Sequence, residues 1–259
     1  MDGCTHNSTR RVGEFCWINM LTPRPAEACE FFAKLLGWTY GEIPGVGFNI
    51  KVDGRDIGGL FDLDGPNTPP GTRAHIGVMV KVANADAIGA KVNALGGKAQ
   101  PAFDIFDAGR MAVCHDPNGA EFDVWETKNM GGTDVNGDVH GAPSWFETIT
   151  TDMGKARKFY QDLFGWTSEA KPMPGFTYTR FKLGDGLVAG MMPVLPNMGA
   201  MRPHWGTYFT VRDVDATQRE AAKLGANICM PVHDIPGVGR FCGIESPQGV
   251  AFYAITYAS

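Results

Sequence analysis

Residues 17–38 read WINMLTPRPAEACEFFAKLLGW, and residues 145–166 read WFETITTDMGKARKFYQDLFGW. Both segments begin and end with tryptophan, and the second lies 128 positions after the first. The similarity continues downstream, where DPNG at 116–119 matches SPQG at 246–249. Because the offset between matching residues changes by only a few positions along the chain, the sequence predicts two tandem homologous halves.

Each half divides again into two units with the pattern β-α-β-β-β. Strand-like runs precede amphipathic segments whose apolar residues recur at helical spacing, and glycine follows these segments. Asp53-Gly54 separates two strand-like runs and favours a tight hairpin. The fold class predicted is therefore α+β, with four short helices and about sixteen strands. The helices are expected around Ala28–Leu35 and at 85–95, 153–164 and 216–224.

The repeat also predicts domain boundaries. A first domain is expected at 13–128 and a second at 142–258, joined by a polar, glycine-bearing linker at 129–141. The predicted units are 13–64 and 72–128, joined by a proline-rich connector at 65–71, and then 142–195 and 202–258.

Composition excludes several classes of protein. The 259 residues are 44% hydrophobic and 20% charged, which is typical of a globular chain. A net charge of −5 is not the excess of basic residues that attracts nucleic acid or anionic lipid. No apolar run approaches the roughly 20 residues of a membrane span, and the polar start does not resemble a signal peptide. We therefore expect a cytoplasmic protein with no nucleic-acid or membrane partner.

The six cysteines show no C-x-x-C spacing, and most of them lie beside apolar residues. Reduced structural thiols are predicted for Cys4, Cys16, Cys29, Cys114, Cys229 and Cys242.

These motifs resemble the glyoxalase/bleomycin-resistance/extradiol-dioxygenase superfamily, also called the vicinal oxygen chelate fold. The resemblance rests on the helix endings FFAKLLGW and FYQDLFGW, on strand pairs closing at Gly59 and Gly190, and on the final D/S-P-x-G hairpins. AFDIFDAGRM and HDIPGVGRF extend it toward two-domain mycobacterial and actinobacterial glyoxalase-like proteins that carry a hydroxylase label. It implies that tandem vicinal-oxygen-chelate domains, with four βαβββ units, form two partly open barrels with one ligand cavity in each half.

The resemblance also implies a divalent metal, held by His, Glu or Gln from the first and last strands of the units. The first-strand positions are Trp17 and Trp145, and an indole cannot ligate a metal. Other ligand positions fall on Gly77, Gly206, Asp123 and Tyr253. Asp123 is the plausible ligand among them, so we expect the usual metal centre to be lost, and a divalent metal in a displaced centre is the alternative.

A displaced centre is one alternative, because residues two apart in a strand share a face. His75 with Asp123, or Glu147 with His204, could then hold a metal weakly or serve as an acid/base pair. These four residues are the catalytic candidates for a lyase, isomerase or oxygenase. The other interpretation of both histidines is that they cap backbone groups at the start of a strand.

The other predicted function is binding of a small molecule without catalysis. Trp17, Asn19, Trp145 and Tyr253 are the candidate ligand-binding residues, although each tryptophan could equally fill the core. The expected partner is a small apolar or aromatic molecule. A third hypothesis makes one half a structural partner of the other. The oligomeric state expected is a monomer built as an internal pseudo-dimer, or a homodimer.

Overall fold

The computed structural model describes residues 10–65, 68 and 71–258. Cys4 and part of the predicted connector at 65–71 lie outside the described residues. The described part of the first half contains, in chain order, β1 Phe15–Thr22, α1 Pro25–Leu36, β2 Thr39–Ile43, β3 Gly47–Val52, β4 Arg55–Asp62, β5 His75–Val82, α2 Ala85–Ala94, β6 Lys98–Ala99, β7 Phe103–Ile105, β8 Gly109–His115 and β9 Glu121–Thr127.

The second half repeats the order βαβββ twice. Its elements are β10 Pro143–Thr150, α3 Met153–Phe164, β11 Thr167–Met173, β12 Phe176–Leu183, β13 Gly186–Pro193, a short 3-10 helix at Pro196–Met198, β14 His204–Thr210, α4 Val214–Lys223, β15 Asn227–Ile235, β16 Gly239–Glu245 and β17 Ala251–Tyr257. The prediction of an α+β chain with four such units is confirmed.

Local chemistry explains where the helices begin and end. Pro25 opens α1, where a missing N–H costs nothing, and Gly37 ends it in the left-handed conformation at φ 69°. The Asp152 carboxylate accepts the Lys155 N–H and caps α3. Asp213 caps α4 in the same way, so this helix starts at Val214, two residues before the predicted start.

The sequence predicts one strand at 102–106, and the structure has β7 there, at Phe103–Ile105. The structure adds the two-residue strand β6 at Lys98–Ala99, and β6 and β7 pair separately with β8. Pro101 lies between them and has no N–H to donate to the ladder, so the pairing is interrupted there.

The described strands form two sheets, β1–β9 in the first and β10–β17 in the second. In each quarter, meaning one βαβββ unit, the strand before the helix pairs in parallel with the last strand of that unit. The other described pairs within a quarter are antiparallel. The parallel pairing requires the helical crossover that each βαβ segment supplies.

The described chain packs into two compact units that each combine quarters from both halves. Unit one contains 78–132, 145–205 and the residues up to Trp17, whereas unit two contains 18–77, 133–144 and 206–258. In unit one, α2 touches α3, and the core includes Phe122, Phe159 and Tyr160.

Unit two has its own aromatic core. Its helix α1 touches α4, and Phe32 packs against Trp38 and Phe252. Phe209 also contacts Trp38, at a centroid distance of 5.1 Å. The packing units therefore divide the chain differently from the sequence repeat.

Part of the predicted linker is packed rather than exposed. Val135 is buried, and the Trp38 indole N–H donates to the Gly141 carbonyl at 2.8 Å. Gly132 adopts φ 96°, and a methyl group there would lie 2.7 Å from the Cys16 Cβ. Part of the predicted linker therefore packs against core residues.

The described cysteines are free thiols, and Cys16, Cys114 and Cys242 are buried, whereas Cys229 is exposed. Burial raises the pKa of Cys16 to about 12, so this thiol stays protonated at neutral pH. No helix in the described ranges is long and apolar enough to cross a membrane.

Candidate functional site

The two faces of β10 have different chemistry. Phe146 stacks on Phe15 at 4.2 Å within the core of unit one. Because side chains alternate along a strand, Trp145 and Glu147 point to the opposite face of the sheet. Glu147 is only 5% exposed, whereas Trp145 is half-buried.

Glu147 begins a line of directly paired residues across four strands. It lies opposite Gly190 on β13, Gly190 lies opposite Arg180 on β12, and Arg180 lies opposite Glu169 on β11. We call Glu147, Gly190, Arg180 and Glu169 the second-half row. Arg180 forms an ion pair with Glu169 through Nη2, and its buried Nε has no hydrogen-bond partner among the described residues.

Two aromatic side chains meet above the centre of this row. The Trp145 indole N–H donates to the Tyr178 hydroxyl oxygen at 3.0 Å. A methyl group at Gly190 would overlap that hydroxyl and lie 2.9 Å from Trp145 Nε1. Glycine is therefore needed at this position because the Trp145–Tyr178 pair occupies the space of a Cβ atom.

The matching positions of the first half form a row without charge. Asn19 lies opposite Gly59, Gly59 opposite Asn49, and Asn49 opposite Gly41. We call these four residues the first-half row. A methyl group at Gly59 would lie 2.5 Å from the Phe61 ring, so glycine is required here as it is at Gly190. The neighbour that takes up the space at Gly59 is an apolar ring.

Trp17 is a core residue of unit one. It belongs to a buried cluster with Cys16, Met79, Met111 and Trp125. Its exposure is 7%, whereas its counterpart Trp145 is half-buried and hydrogen-bonded. The two tryptophans that match in sequence therefore have different surroundings.

Asp123, the candidate metal ligand, is a buried residue of β9. It pairs in register with Met79 on β5 and with Val113 on β8, and it is 7% exposed. His75 lies in unit two and Asp123 in unit one, so their pairing remains a prediction.

Tyr253 takes part in an aromatic cluster of unit two. Its ring stacks on Tyr208 with centroids 4.5 Å apart and an interplanar angle of 18°. Phe241 contacts both rings, and His233 lies 4.0 Å from Phe241. Since Phe252 packs on Phe32 of α1 and Phe209 packs on Trp38, strand alternation places Tyr208 and Tyr253 on the opposite face of the sheet.

Both candidate histidines bond to the backbone two residues before them. Nδ1 of His75 lies 2.8 Å from the Arg73 carbonyl, and Nδ1 of His204 lies 2.9 Å from the Arg202 carbonyl. A carbonyl oxygen only accepts, so each Nδ1 carries the hydrogen. These bonds are those expected if the histidines cap backbone groups. The pairing of His204 with Glu147 remains a prediction.

Equivalent arginines in the two halves bind carboxylates. The Arg110 guanidinium contacts Asp86 at 2.7 Å and Asp104 at 3.3 Å. Arg240 contacts Asp215 and Asp234, each at 2.9 Å. Each arginine therefore joins its hairpin to the first turn of the preceding helix, α2 or α4, and already has anionic partners.

The donor set does not fit the metal that the resemblance implies. Two of the implied positions hold indole rings and two hold glycines, while Tyr253 is stacked on another phenol. Over the described ranges, no group of three or more His, Cys, Asp and Glu side chains could hold a metal ion. Catalytic zinc sites usually have three protein ligands.

Sequence reasoning missed Tyr178, Arg180 and Tyr208. Tyr208 lies two residues after Gly206, so the same alternation rule that selected Glu147 could have identified it. Tyr178 and Arg180 depend on the register of β11 with β12, which is set by the two-residue turn between Met173 and Phe176.

Comparison with known proteins supports the resemblance over most of the chain. Residues 143–253 match the family described as Glyoxalase/Bleomycin resistance protein/Dioxygenase superfamily, and residues 17–125 match the Glyoxalase-like domain. A Mycobacterium bovis protein named "Putative glyoxylase CFP32" is 34% identical, with 95% of each chain covered.

A second relative and a solved structure agree with this assignment. "Anthracycline biosynthesis protein DauV" of Streptomyces sp. strain C5 is 33% identical, covering 94% of this chain and 93% of that one. The Mn(II)-bound glyoxalase from Novosphingobium aromaticivorans has a TM-score of 0.65 at 17% identity, covering 95% of this chain and 82% of that one, and shares the fold. The chain therefore belongs to the glyoxalase/bleomycin resistance protein/dioxygenase superfamily.

Proposed function

We propose that this protein binds a small aromatic molecule, and that it does so without the metal centre implied by the family resemblance. The observation that carries the proposal is the stacked pair of Tyr253 and Tyr208, with ring centroids 4.5 Å apart. Tyr253 occupies a position where the resemblance implies a metal ligand. A stacking surface therefore replaces a coordinating group.

The geometry of the cluster suits a planar ring. Tyr208 is 5% exposed and fixed by Phe241, whereas Tyr253 is half-buried. An aromatic ligand can therefore extend the stack at Tyr253 while Tyr208 supports the ring from behind. Each well-placed aromatic contact contributes about 0.5–1.5 kcal/mol beyond the area it buries.

The relatives give independent support for this ligand class. Two Streptomyces proteins that are 33% identical to this chain are named as anthracycline biosynthesis proteins. Anthracyclines are compounds with planar fused rings, which is the shape that a stacking surface selects.

The proposal is tested by titrating the protein with a fluorescent planar anthraquinone. We expect Tyr253→Ala to weaken binding by about tenfold, because the stacking face is lost. Tyr253→Phe is the matched control and should retain most of the affinity, since the ring remains. Equal affinities for the wild type and Tyr253→Ala would contradict the proposal.

Catalysis is not part of this proposal. His75 with Asp123, and Glu147 with His204, remain predictions of an acid/base pair for a lyase, isomerase or oxygenase. A cytoplasmic location and the oligomeric state likewise remain predictions.

A further inference from the structure

A β-bulge in β15 places His233 on the same face of the sheet as the aromatic cluster of unit two. Met230 pairs with Gly243, and His233 pairs with Phe241. Two residues of β15 lie between these pairs, opposite a single residue of β16. Residues three apart in a regular strand point to opposite faces, but the extra residue of the bulge puts Met230 and His233 on one face. Since Gly243 also pairs with Tyr253, this face is the one that carries Tyr253.

The bulge is held in place by α4. Pro231 lies within it and has no N–H to donate to the ladder. Val232 donates its N–H to the side-chain oxygen of Gln218, at 2.8 Å. The backbone groups that leave the ladder are therefore accounted for, and the fold fixes the position of His233.

Two contacts orient the His233 ring. Its centroid lies 4.0 Å from that of Phe241, and its Nδ1 lies 3.2 Å from the Pro231 carbonyl oxygen. A carbonyl oxygen only accepts, so Nδ1 carries the hydrogen, and in the neutral ring Nε2 keeps a lone pair. The side chain is exposed, and within the described part of the chain no hydrogen bond joins Nε2 to another residue. His233 therefore offers a hydrogen-bond acceptor beside an aromatic surface.

We propose that the aromatic ligand carries a phenolic hydroxyl group, and that Nε2 of His233 accepts the hydrogen of this hydroxyl. The inference rests on the proposed function, because it names the ligand class bound at the same site. His233 is then the residue that selects a hydroxylated ring over an unsubstituted one, while Tyr253 supplies the stacking face.

The spacing of the strands indicates the size of the ligand. Tyr253 lies on β17 and His233 on β15, with β16 between them. Neighbouring strands lie about 4.8 Å apart, so the stacking face and the acceptor are separated by about 10 Å across the sheet. The hydroxyl group therefore belongs at the far end of a fused-ring system rather than on a single ring stacked on Tyr253.

Gly243 leaves room for such a ligand between the two strands. A methyl group there would lie 3.2 Å from the Met230 Cβ and 3.4 Å from Cε1 of Tyr253. The floor of the surface is therefore backbone, bordered by the Tyr253 ring on one side and Met230 on the other. Methionine adapts its shape to an aromatic neighbour.

The first half provides an internal comparison. Phe103 pairs with Met111 on β8 in the same register as His233 with Phe241. Phenylalanine at this position offers no acceptor for a hydroxyl group. We therefore expect the preference for a hydroxylated ligand to depend on the second half alone.

The test is fluorescence titration of the full chain with 1-hydroxypyrene and with its methyl ether, 1-methoxypyrene. Both probes have the same fused rings, but only the first can donate a hydrogen bond. The wild type should bind 1-hydroxypyrene about fivefold more tightly than the ether. Equal affinity for the two probes would overturn the proposal for His233.

Variants of His233 separate the acceptor from the shape of the site. His233→Phe installs the first-half residue and should bind both probes equally, with the affinity for the ether retained. His233→Gln keeps an acceptor in the side-chain oxygen and should retain part of the preference. Thermal unfolding midpoints show whether each variant is folded. A wild-type preference in folded His233→Phe would show that this residue does not recognise the hydroxyl group.

Tyr253→Ala distinguishes failure of this inference from failure of the proposed function. It should weaken the binding of both probes by the same factor and leave their affinity ratio unchanged. If both probes bind the wild type equally and Tyr253→Ala weakens both, the proposed function stands and the role of His233 is wrong. If neither probe binds, or if Tyr253→Ala changes neither affinity, the proposed function is wrong and this inference is wrong with it.

Discussion

Gly190 has a definite steric role on β13. The Tyr178 hydroxyl and the Trp145 indole occupy the volume that a Cβ atom would need. Gly190→Ala should therefore destabilise the protein by about 1–3 kcal/mol, since overpacking forces side chains out of their preferred rotamers. The free energy of unfolding in urea measures this effect.

The control for Gly190 is the same substitution in a Tyr178→Ala background. If the clash with Tyr178 causes the destabilisation, Gly190→Ala should cost clearly less there, and the double-mutant cycle should give a coupling energy. An unchanged cost in both backgrounds would contradict this explanation.

His204 gives stability a dependence on pH. Burial lowers the pKa of His204 below its ordinary value, so the folded state binds its proton less readily than the unfolded state. The folded state is therefore favoured by neutral His204. This contribution to the free energy of unfolding is fully present above the unfolded pKa of about 6.5, and it is lost as pH falls through the lower folded pKa. His204→Asn, which can still donate to the Arg202 carbonyl, should lose less stability than the wild type between pH 7 and pH 5.

His115 provides a control of opposite sign. Its hydrogen bond with Glu121 raises the pKa of His115, so its stabilisation is present below about pH 6.5 and is lost as pH rises through the folded pKa. His115→Asn should therefore increase the loss of stability on acidification. Identical changes in the His204 and His115 variants would show that these residues do not control the pH dependence.

At the scale of elements, the hairpin β7–β8 contains a strained residue. The Ala108 N–H donates to the Ile105 carbonyl at 3.0 Å, and Phe106 within this turn has φ 47° and is 76% exposed. Phe106→Gly should stabilise the protein by about 0.5–1 kcal/mol, because glycine tolerates a positive φ. Thermal and urea unfolding measure the change.

Phe106→Ala separates strain from exposure of the ring. Alanine removes the aromatic side chain but keeps a Cβ atom at positive φ, so its stability should stay near that of the wild type. If Phe106→Ala and Phe106→Gly stabilise the protein equally, then exposure of the Phe106 ring, and not backbone strain, lowers the stability of the wild type.

The predictability of elements follows from their local signals. Helix α3 was predicted with its observed bounds because the Asp152 cap and Gly165 stop lie in the sequence beside it. By contrast, β2 was not located, since its polar residues alternate weakly, with Thr39 and Glu42 exposed. The sequence does not predict the two-residue strand β6, because this strand depends on pairing with β8.

At the scale of the molecule, the halves depend on each other for their cores. Phe32 and Trp38 of the first half pack against Phe252 and Phe209 of the second. An isolated fragment of residues 10–128 should therefore not be a stable monomer. A chain cleaved within 129–141 should remain associated and unfold cooperatively, as measured by size-exclusion chromatography and circular dichroism. A monomeric fragment with wild-type stability would contradict this.

The amino-acid sequence alone is enough to predict the repeat, the order βαβββ and the family, because caps, turn residues and apolar periodicity are local signals and the matching motifs are long. It also identified Trp145, Glu147 and Tyr253 as residues to examine. Tertiary structure decided that Trp17 fills a core while Trp145 bonds to Tyr178, and that Arg180 lies in one row with Glu147. These differences arise from strand register and packing between quarters, which join residues far apart in the chain and leave no local pattern.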